Sequence, residues 1–557
     1  MTNKPRYADA SMEAMYRIFT VPEAPGTTLG NIDQKLSQNL AGFLQEHIVA
    51  VEKDLTELQK DFSDSVIPEK PIFVSDQADF LMDKLVAQSV HTASPSFIGH
   101  MTSALPYFMM PLSRIMIALN QNLVKIETSK AFTPMERQVL GMIHRLIYKQ
   151  DDGFYTKWMH QPGYSLGSFC SGGTIANMTA LWVARNCRFD RDKKAGFAGI
   201  QRAGLFGALK HYGYSGAAIL VSERGHYSLG KAADVLGIGR DSLISIKADA
   251  RNKIQLDELR ATVKQLKQDN VAIIGMVGVA GTSETGSVDP LDQMADIAEE
   301  AGCHFHVDAA WGGPTLFSDK YAHILKGIER ADSVTIDAHK QMYVPMGAGM
   351  VIFKDPALVS SIEHHADYII RKGSRDLGAY TLEGSRPGIA MLLHSGLKII
   401  GRSGYEILIE QGIEKARTFA DMIKAEQDFE LITEPELNIL TYRFVPQFVK
   451  DKLANASVEE IDQIHEVLNR LTKRIQKNQR ARGKSFVSRT TLTPQEYDRR
   501  RTVVFRVVLA NPLTSYDILQ DVLAEQKEIT ASKACKECMA ELHQLCESPQ
   551  AVRAQAM

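Results

Sequence analysis

Two segments of the chain end an apolar run on a charged side chain. His-Phe-His-Val-Asp-Ala-Ala-Trp-Gly-Gly at 304–313 delivers the carboxylate of Asp308, and Ser-Val-Thr-Ile-Asp-Ala-His-Lys at 333–340 delivers the amine of Lys340. Two such placements in succession need a chemical reason. An aromatic aldehyde with a basic ring nitrogen supplies one: the carboxylate pairs with the protonated nitrogen and the amine holds the aldehyde as a Schiff base, as pyridoxal 5'-phosphate requires. Either residue alone reads as a solvated strand end. The pair, in this order and with His339 beside the lysine, reads as a cofactor site.

The cofactor's phosphate needs donors, and Gly-Ser-Phe-Cys-Ser-Gly-Gly-Thr-Ile-Ala-Asn-Met-Thr-Ala-Leu at 167–181 can provide them. Its paired glycines let the backbone come close, Thr174 adds a hydroxyl, and the residues that follow read as a helix whose N-terminus faces the phosphate. Many such turns merely start helices, so this assignment leans on Asp308 and Lys340. The turn Gly-Thr-Ser-Glu-Thr-Gly-Ser at 281–287 follows a buried-looking strand and places Thr282 and Ser283 near the cofactor's phenolate oxygen; otherwise it is an ordinary strand-to-helix loop. His226, after the strand that ends near Val221, offers a flat ring to stack on the pyridine.

These side chains must be carried by strand ends. β-Branched runs at 217–221, 243–246, 271–279 and 349–353 join the two charged segments, with helix-period stretches such as 256–266 between them. That alternation implies an α/β fold with a mostly parallel sheet covered by helices, and sites in such sheets gather at strand ends. Beyond residue 400, long helices and the runs 429–433, 437–444 and 502–508 describe a smaller α+β domain. The expected division is an N-terminal helical segment over 1–110, a large cofactor-binding domain over 111–400 and a small domain over 401–557. Apolar residues at every fourth position from Ile32 to Ile48 predict an amphipathic helix that lies across another surface. The basic stretch from Lys473 to Arg501 reads as a solvated helix and loop.

Composition narrows the partners. Of 557 residues, 44% are hydrophobic and 23% charged, which suits a globular protein with more than one core. Lys plus Arg is 64 against 66 for Asp plus Glu, a balance that gives no field for nucleic acid or an anionic membrane. The N-terminal residues lack a signal peptide's apolar core and no apolar run is long enough to span a bilayer, so a cytoplasmic location is the expectation. The cysteines are scattered, and the Cys535/Cys538 pair has no second CxxC to complete a zinc site; no metal is expected.

Ser-Gly-Gly-Thr-Ile-Ala-Asn, Glu-Arg-Gly-His-Tyr-Ser, His-Val-Asp-Ala-Ala-Trp-Gly-Gly and Asp-Ala-His-Lys, in this order, resemble the group II pyridoxal-phosphate amino-acid decarboxylases. This is the family of the glutamate, aromatic amino-acid and cysteine sulfinate enzymes. The resemblance runs from about residue 90 to about 530 and implies an aspartate-aminotransferase-like fold (fold type I) and a homodimer with its active sites at the subunit interface. By matching motif it implies Lys340 as the Schiff-base lysine, Asp308 as the pyridine partner and His226 as the stacking ring. Gly173 and Thr174 become phosphate contacts, His339 a neighbour of the phosphate, and Ala310 a further cofactor contact. Thr-Val-Val-Phe-Arg-Val-Val-Leu-Ala-Asn-Pro at 502–512 resembles the segment in which an arginine holds an acidic substrate's carboxylate, which points to Arg506.

Two departures bear on the substrate. Where acidic-substrate members carry asparagine and glutamine, the segment 91–103 has Gly99 and His100, so Phe97 and His100 are expected to line a changed pocket. The loop 366–388 offers Tyr368 and Tyr380 as proton donors, of which Tyr368 is preferred by its place at the loop's start, and Arg386 is a further candidate for carboxylate or phosphate contact. A basic pocket argues for a second acid group on the substrate. The chain resembles the bacterial members that act on aspartate, so the expected reaction is loss of carbon dioxide from L-aspartate to give β-alanine for pantothenate synthesis. Glutamate, giving 4-aminobutyrate, and cysteine sulfinate are the alternatives. In this chemistry the scissile bond stands perpendicular to the ring, and an Asp308–pyridinium pair worth up to about 4 kcal/mol at roughly 4 Å keeps the electron sink charged. An aminotransferase or carbon–carbon lyase could use the same residues. A nicotinamide-binding protein would need a complete Gly-x-Gly-x-x-Gly, which Gly237–Ser242 lacks. A regulatory relative could bind the cofactor without turnover.

Overall fold

The computed structural model describes residues 53–366, 370, 371 and 373–547, with residues 30, 31 and 34 besides. The helix expected over 32–48 lies, but for residue 34, outside them. Seven strands form the larger sheet: β1 (Gly167–Cys170), β2 (Gly216–Ser222), β3 (Leu243–Ile246), β4 (Val271–Val279), β5 (His304–Asp308), β6 (Ser333–Asp337) and β7 (Gly349–Phe353). Their spatial order is β1-β7-β6-β5-β4-β2-β3. β3, β2, β4, β5 and β6 run parallel, and β7 lies antiparallel to its neighbours β6 and β1. Continuous apolar runs mark strands covered on both faces. β4, for example, is buried from Ala272 to Val279. Helix α1 (Gly173–Arg188) follows β1 and lays Ala176, Ala180 and Val183 against Val351 and Phe353; the small side chains let helix and sheet approach closely.

The parallel strands bring their carboxyl ends to one edge of the sheet. Asp308 pairs in register with Val279 on one side and Thr335 on the other, and Gly349 pairs with Asp337 and Cys170 on its two sides. The two charged segments and the glycine turn therefore end on the same edge, where open α/β sheets bind their ligands.

A second sheet holds β8 (Phe429–Thr433), β9 (Ile439–Phe444), β10 (Ser488–Leu492) and β11 (Thr502–Val508), in the antiparallel order β10-β11-β9-β8. Helix α2 (Val458–Arg482) covers it. A capping box between Ser457 and Glu460 starts α2, and Gly483 at φ +66° ends it. Ile464, Val467, Leu468, Leu471 and Ile475 of α2 share a core with Tyr442 and Phe505, a burial worth on the order of 10 kcal/mol before chain entropy is subtracted.

Three features depart from the sequence reading. β1 has only four residues and lay inside the segment read as a phosphate turn. The stretch from Lys473 to Arg501 holds the end of α2 and then the edge strand β10, whose polar composition hides it. The end of the N-terminal segment is extended, not helical, and joins the second sheet: Ile98 N donates to Phe486 O (3.0 Å), Phe486 N to Ser96 O (3.0 Å) and Val508 N to Ile98 O (2.7 Å). Cys535 and Cys538 are buried in the core beneath α2 with Leu542, and burial raises both thiols, that of Cys535 to about 11.

Candidate active site

A cavity of about 530 Å³ opens at the carboxyl edge of the larger sheet. The sequence-predicted residues His100, Gly173, Thr174, His226, Ser283, Asp308, Ala310, His339 and Lys340 all line it. Residues from His100 to Lys340 thus meet because strand ends and the turns after them share one edge.

Its deepest part is a hydrogen-bonded relay built on Asn177, in the second turn of α1. Asn177 Nδ2 donates to Asp308 Oδ2 (2.8 Å) and to Ser228 Oγ (3.1 Å). A carboxylate only accepts, so the amide orientation is fixed, and Asn177 Oδ1 must accept from His306 Nε2 (3.1 Å). Burial presses His306 down to about 4, and its Nδ1 lies 2.9 Å from Ser333 Oγ and 3.1 Å from Ser333 O. The backbone N–H of Ala310 donates to Asp308 Oδ1 (3.2 Å). Asp308 is thereby held by donors on both oxygens, an acceptor aimed at the cavity.

His226 is set by the same relay. The backbone N–H of Ser228 donates to its Nδ1 (3.3 Å), and Ser228 Oγ lies 2.8 Å from that nitrogen. Nδ1 is therefore the acceptor and the proton of the neutral ring sits on Nε2. Burial lowers the His226 pKa, against the pull of Asp308, which favours this uncharged form. His339 is oriented through Nδ1, which donates to Ala348 O (2.9 Å), and burial lowers its pKa as well.

The opposite wall is the glycine turn. A Cβ on Gly173 would stand 2.9 Å from Asp337 Oδ2 and 3.3 Å from Ala310 Cβ, and one on Gly172 would stand 3.3 Å from His339 Cε1. Only glycine leaves room for a ligand to reach the N-terminus of α1. Lys340 Nζ lies 3.0 Å from Asp337 Oδ2. An amine, an acceptor carboxylate, a flat neutral ring and a helix N-terminus bared by glycines are the set that pyridoxal 5'-phosphate needs, and the cavity fits it.

Arg506 is not among the residues that line the cavity; it stands behind Ser283, its Nε donating to Ser283 O (2.6 Å) and its Nη1 to Gly99 O (3.3 Å). Burial presses Arg506 down to about 10, opposed by Glu284, so it stays a cation at neutral pH. Arg224 is the arginine that lines the cavity, its Nη1 3.1 Å from Glu284 Oε2. His100 stands exposed at the mouth, and Thr102 N donates to its Nδ1 (3.3 Å). Partial burial of its ring, and then the charges of Arg506 and Lys340, lower its pKa, so it acts as a neutral hydrogen-bonding group. The turn carrying Ser283 is tied down by buried Asp289, whose two oxygens accept from Ile254 N (2.8 Å) and Val279 N (2.9 Å).

Four expectations change. Thr282 is buried in its own turn, its hydroxyl bonded to Thr285 Oγ1 (2.7 Å), and only Ser283 faces the cavity. Phe97 is buried against Phe486, ring centroids 4.8 Å apart, and supports the wall from behind. Arg386 places Nη1 and Nη2 on the two oxygens of buried Glu136, an internal ion pair away from the cavity. Tyr380 is buried and its hydroxyl donates to Glu363 Oε1 (3.1 Å); Tyr368 lies outside the described residues. Asn177, Arg224 and Asp337 were not singled out in the sequence. The available signals were Asn177's place one turn past Thr174 and Asp337's place at the strand end before Lys340.

Residues 55–445 match the pyridoxal-dependent decarboxylase conserved domain. The chain is similar to an aspartate 1-decarboxylase of Aliivibrio fischeri, 65% identical over 532 residues that cover 96% of this chain and 97% of that protein. It is also similar to the cysteine sulfinic acid decarboxylase of Mus musculus, 28% identical over 79% of this chain and 83% of the relative. Among solved structures, mouse CSAD superposes with a TM-score of 0.76 at 25% identity, covering 90% of this chain and 98% of that one.

Proposed function

From the premise that this chain belongs to the pyridoxal-dependent decarboxylase family, we propose that it removes the α-carboxylate of L-aspartate, giving β-alanine and carbon dioxide. The observation that carries the substrate choice is Arg506: a guanidinium anchored on the backbone carbonyls of Gly99 and of Ser283, which lines the cavity, keeps its charge for an anionic guest. The 65% identity to an aspartate 1-decarboxylase supports the same reading.

The residues divide the work. Lys340 offers the amine for the cofactor's aldehyde, Asp308 the acceptor for its ring nitrogen, and His226 the face of its ring. Gly173, Thr174 and the N-terminus of α1 receive the phosphate with His339 beside it, Ser283 faces the phenolate oxygen, and Ala310 is a further cofactor contact. When bound, pyridoxal 5'-phosphate supplies a positively charged ring that takes up the electron pair left by carbon dioxide. Asn177 and Ala310 donate to the two oxygens of Asp308 and aim the carboxylate at that ring's nitrogen. Arg506 orients the substrate, and orientation selects which bond breaks. The proton that replaces carbon dioxide comes from Tyr368 or from Nε2 of His226.

We read the working form as a cytoplasmic homodimer that supplies β-alanine for pantothenate and coenzyme A. Support for self-association comes from the exposed apolar surface at Leu105, Tyr107, Met110, Ile115, Ile117 and Leu119, an area that water disfavours. Among the described residues no helix is long and apolar enough to cross a membrane. Incubating the purified protein with cofactor and aspartate, glutamate or cysteine sulfinate, and identifying the amine formed, tests the assignment. Aspartate is expected to turn over fastest; faster release of 4-aminobutyrate from glutamate overturns it.

A further inference from the structure

Asp337 is almost fully buried, 2% exposed, at the end of β6. Its Oδ2 accepts from Lys340 Nζ at 3.0 Å, and His339 Nε2 lies 3.7 Å from the same oxygen. Oδ1 is buried and has no hydrogen-bond partner among the described residues. Neither glycine beside it can grow a side chain to help: a Cβ on Gly349 would stand 2.6 Å from Oδ1 and one on Gly173 2.9 Å from Oδ2. The carboxylate therefore depends on the lysine ammonium for its counter-charge, and it stands against the glycine turn that receives the phosphate.

That dependence creates a conflict when Lys340 reacts. An ammonium has no lone pair, so Nζ must lose a proton before it attacks an aldehyde. Asp337 would then be an unpaired buried anion beside an incoming phosphate, a state that buried charges avoid by taking up a proton. One transfer resolves both problems.

We propose that Asp337 accepts the proton that Lys340 gives up and remains a neutral carboxylic acid while the lysine carries the cofactor; this rests on the reading of Lys340 as the cofactor lysine. In the transfer an Nζ–H bond breaks, an Oδ2–H bond forms and the electron pair stays on nitrogen. The neutral amine attacks the aldehyde carbon, a carbon–nitrogen double bond forms, and the two remaining Nζ hydrogens leave with the aldehyde oxygen as water. No oxidant or reductant is needed. The new O–H gives Asp337 a donor to turn toward the phosphate. Asp337 is thus a positioning residue that acts through Lys340, distinct from Asp308, whose oxygens are taken by Asn177 and Ala310.

The test is an infrared difference spectrum of the full chain recorded before and after pyridoxal 5'-phosphate is added to cofactor-free protein, with borohydride trapping and peptide mapping in parallel. The expected result is a new carbonyl stretch of a protonated carboxylic acid on loading, shifted by carboxyl-¹³C aspartate and lost in Asp337→Asn, which still takes cofactor on Lys340. The isotope shift identifies an aspartate even if the variant fails to fold. Trapping on Lys340 with no such band, or a band that survives in Asp337→Asn, overturns the inference alone. Trapping on another lysine, or no uptake by folded protein, overturns the functional reading and this inference with it.

Discussion

The two ends of the cavity are built differently. At the cofactor end, Asp308, Asn177, Ser228, His226 and His306 hold one another through short side chains on β5, on α1 and in the turn and helix start after β2, and each position is fixed by its neighbours' donors and acceptors. At the substrate end, Arg506 reaches across from β11 and is held by carbonyls of two loops, Ser283 and Gly99. A buried, fully paired relay is unforgiving, whereas a long side chain anchored on backbone oxygens can be retuned one residue at a time.

The comparison can be broken at four places. Lys340→Ala is expected to lower kcat by more than about 10³-fold in a carbon dioxide release assay, with folding retained; a smaller loss moves the chemistry elsewhere. Asn177→Ala leaves Asp308, Ser228 and His306 each short of a partner and is expected to cost about 4 kcal/mol in urea unfolding. A cost near that of a surface substitution would show that the cofactor end is looser than its bonds suggest.

Asp289 tests the anchor between the two ends. Burial pushes its carboxyl up to about 6 despite two backbone donors, so the folded state binds a proton more tightly than the unfolded chain does. Its stabilising contribution is complete below the ordinary aspartate range and is lost as pH rises through 6, a change of about 3 kcal/mol. The stability of Asp289→Asn relative to the parent should rise by that amount between pH 4 and pH 7; a flat difference contradicts the burial argument. The smallest effect is expected for Arg506→Lys, which keeps the charge but cannot span both carbonyls: KM for aspartate rises about tenfold while kcat changes less. An equal fall in kcat would place Arg506 nearer the chemistry than its seat behind Ser283.

This division also governs what the sequence could reveal. β2, β4 and β7 were legible because each holds a continuous apolar run, β3, β5 and β6 through their apolar and β-branched residues, and the charges at the ends of β5 and β6 marked one edge of the sheet. The glycine turn was readable as a helix start, but the four-residue β1 within it was not. Asn177 escaped because an asparagine inside a helix has no periodic signature, and its role exists only once Asp308 and His306 arrive from β5. Arg386 misled because sequence cannot show that Glu136, 250 positions away, already occupies its guanidinium. β10 was missed because an edge strand of alternating polar residues resembles a solvated loop.

The pairing of Ser96–Ile98 with Phe486 and Val508 sets an order of events during synthesis on the ribosome. Every cofactor-facing group from Gly172 to Lys340 has been made long before Arg506 emerges, yet the stretch that carries Gly99 and His100 has no backbone to zip against until residues 486 and 508 appear. A nascent chain can complete its vitamin cradle early, but its ability to choose an amino acid arrives only with the last strand.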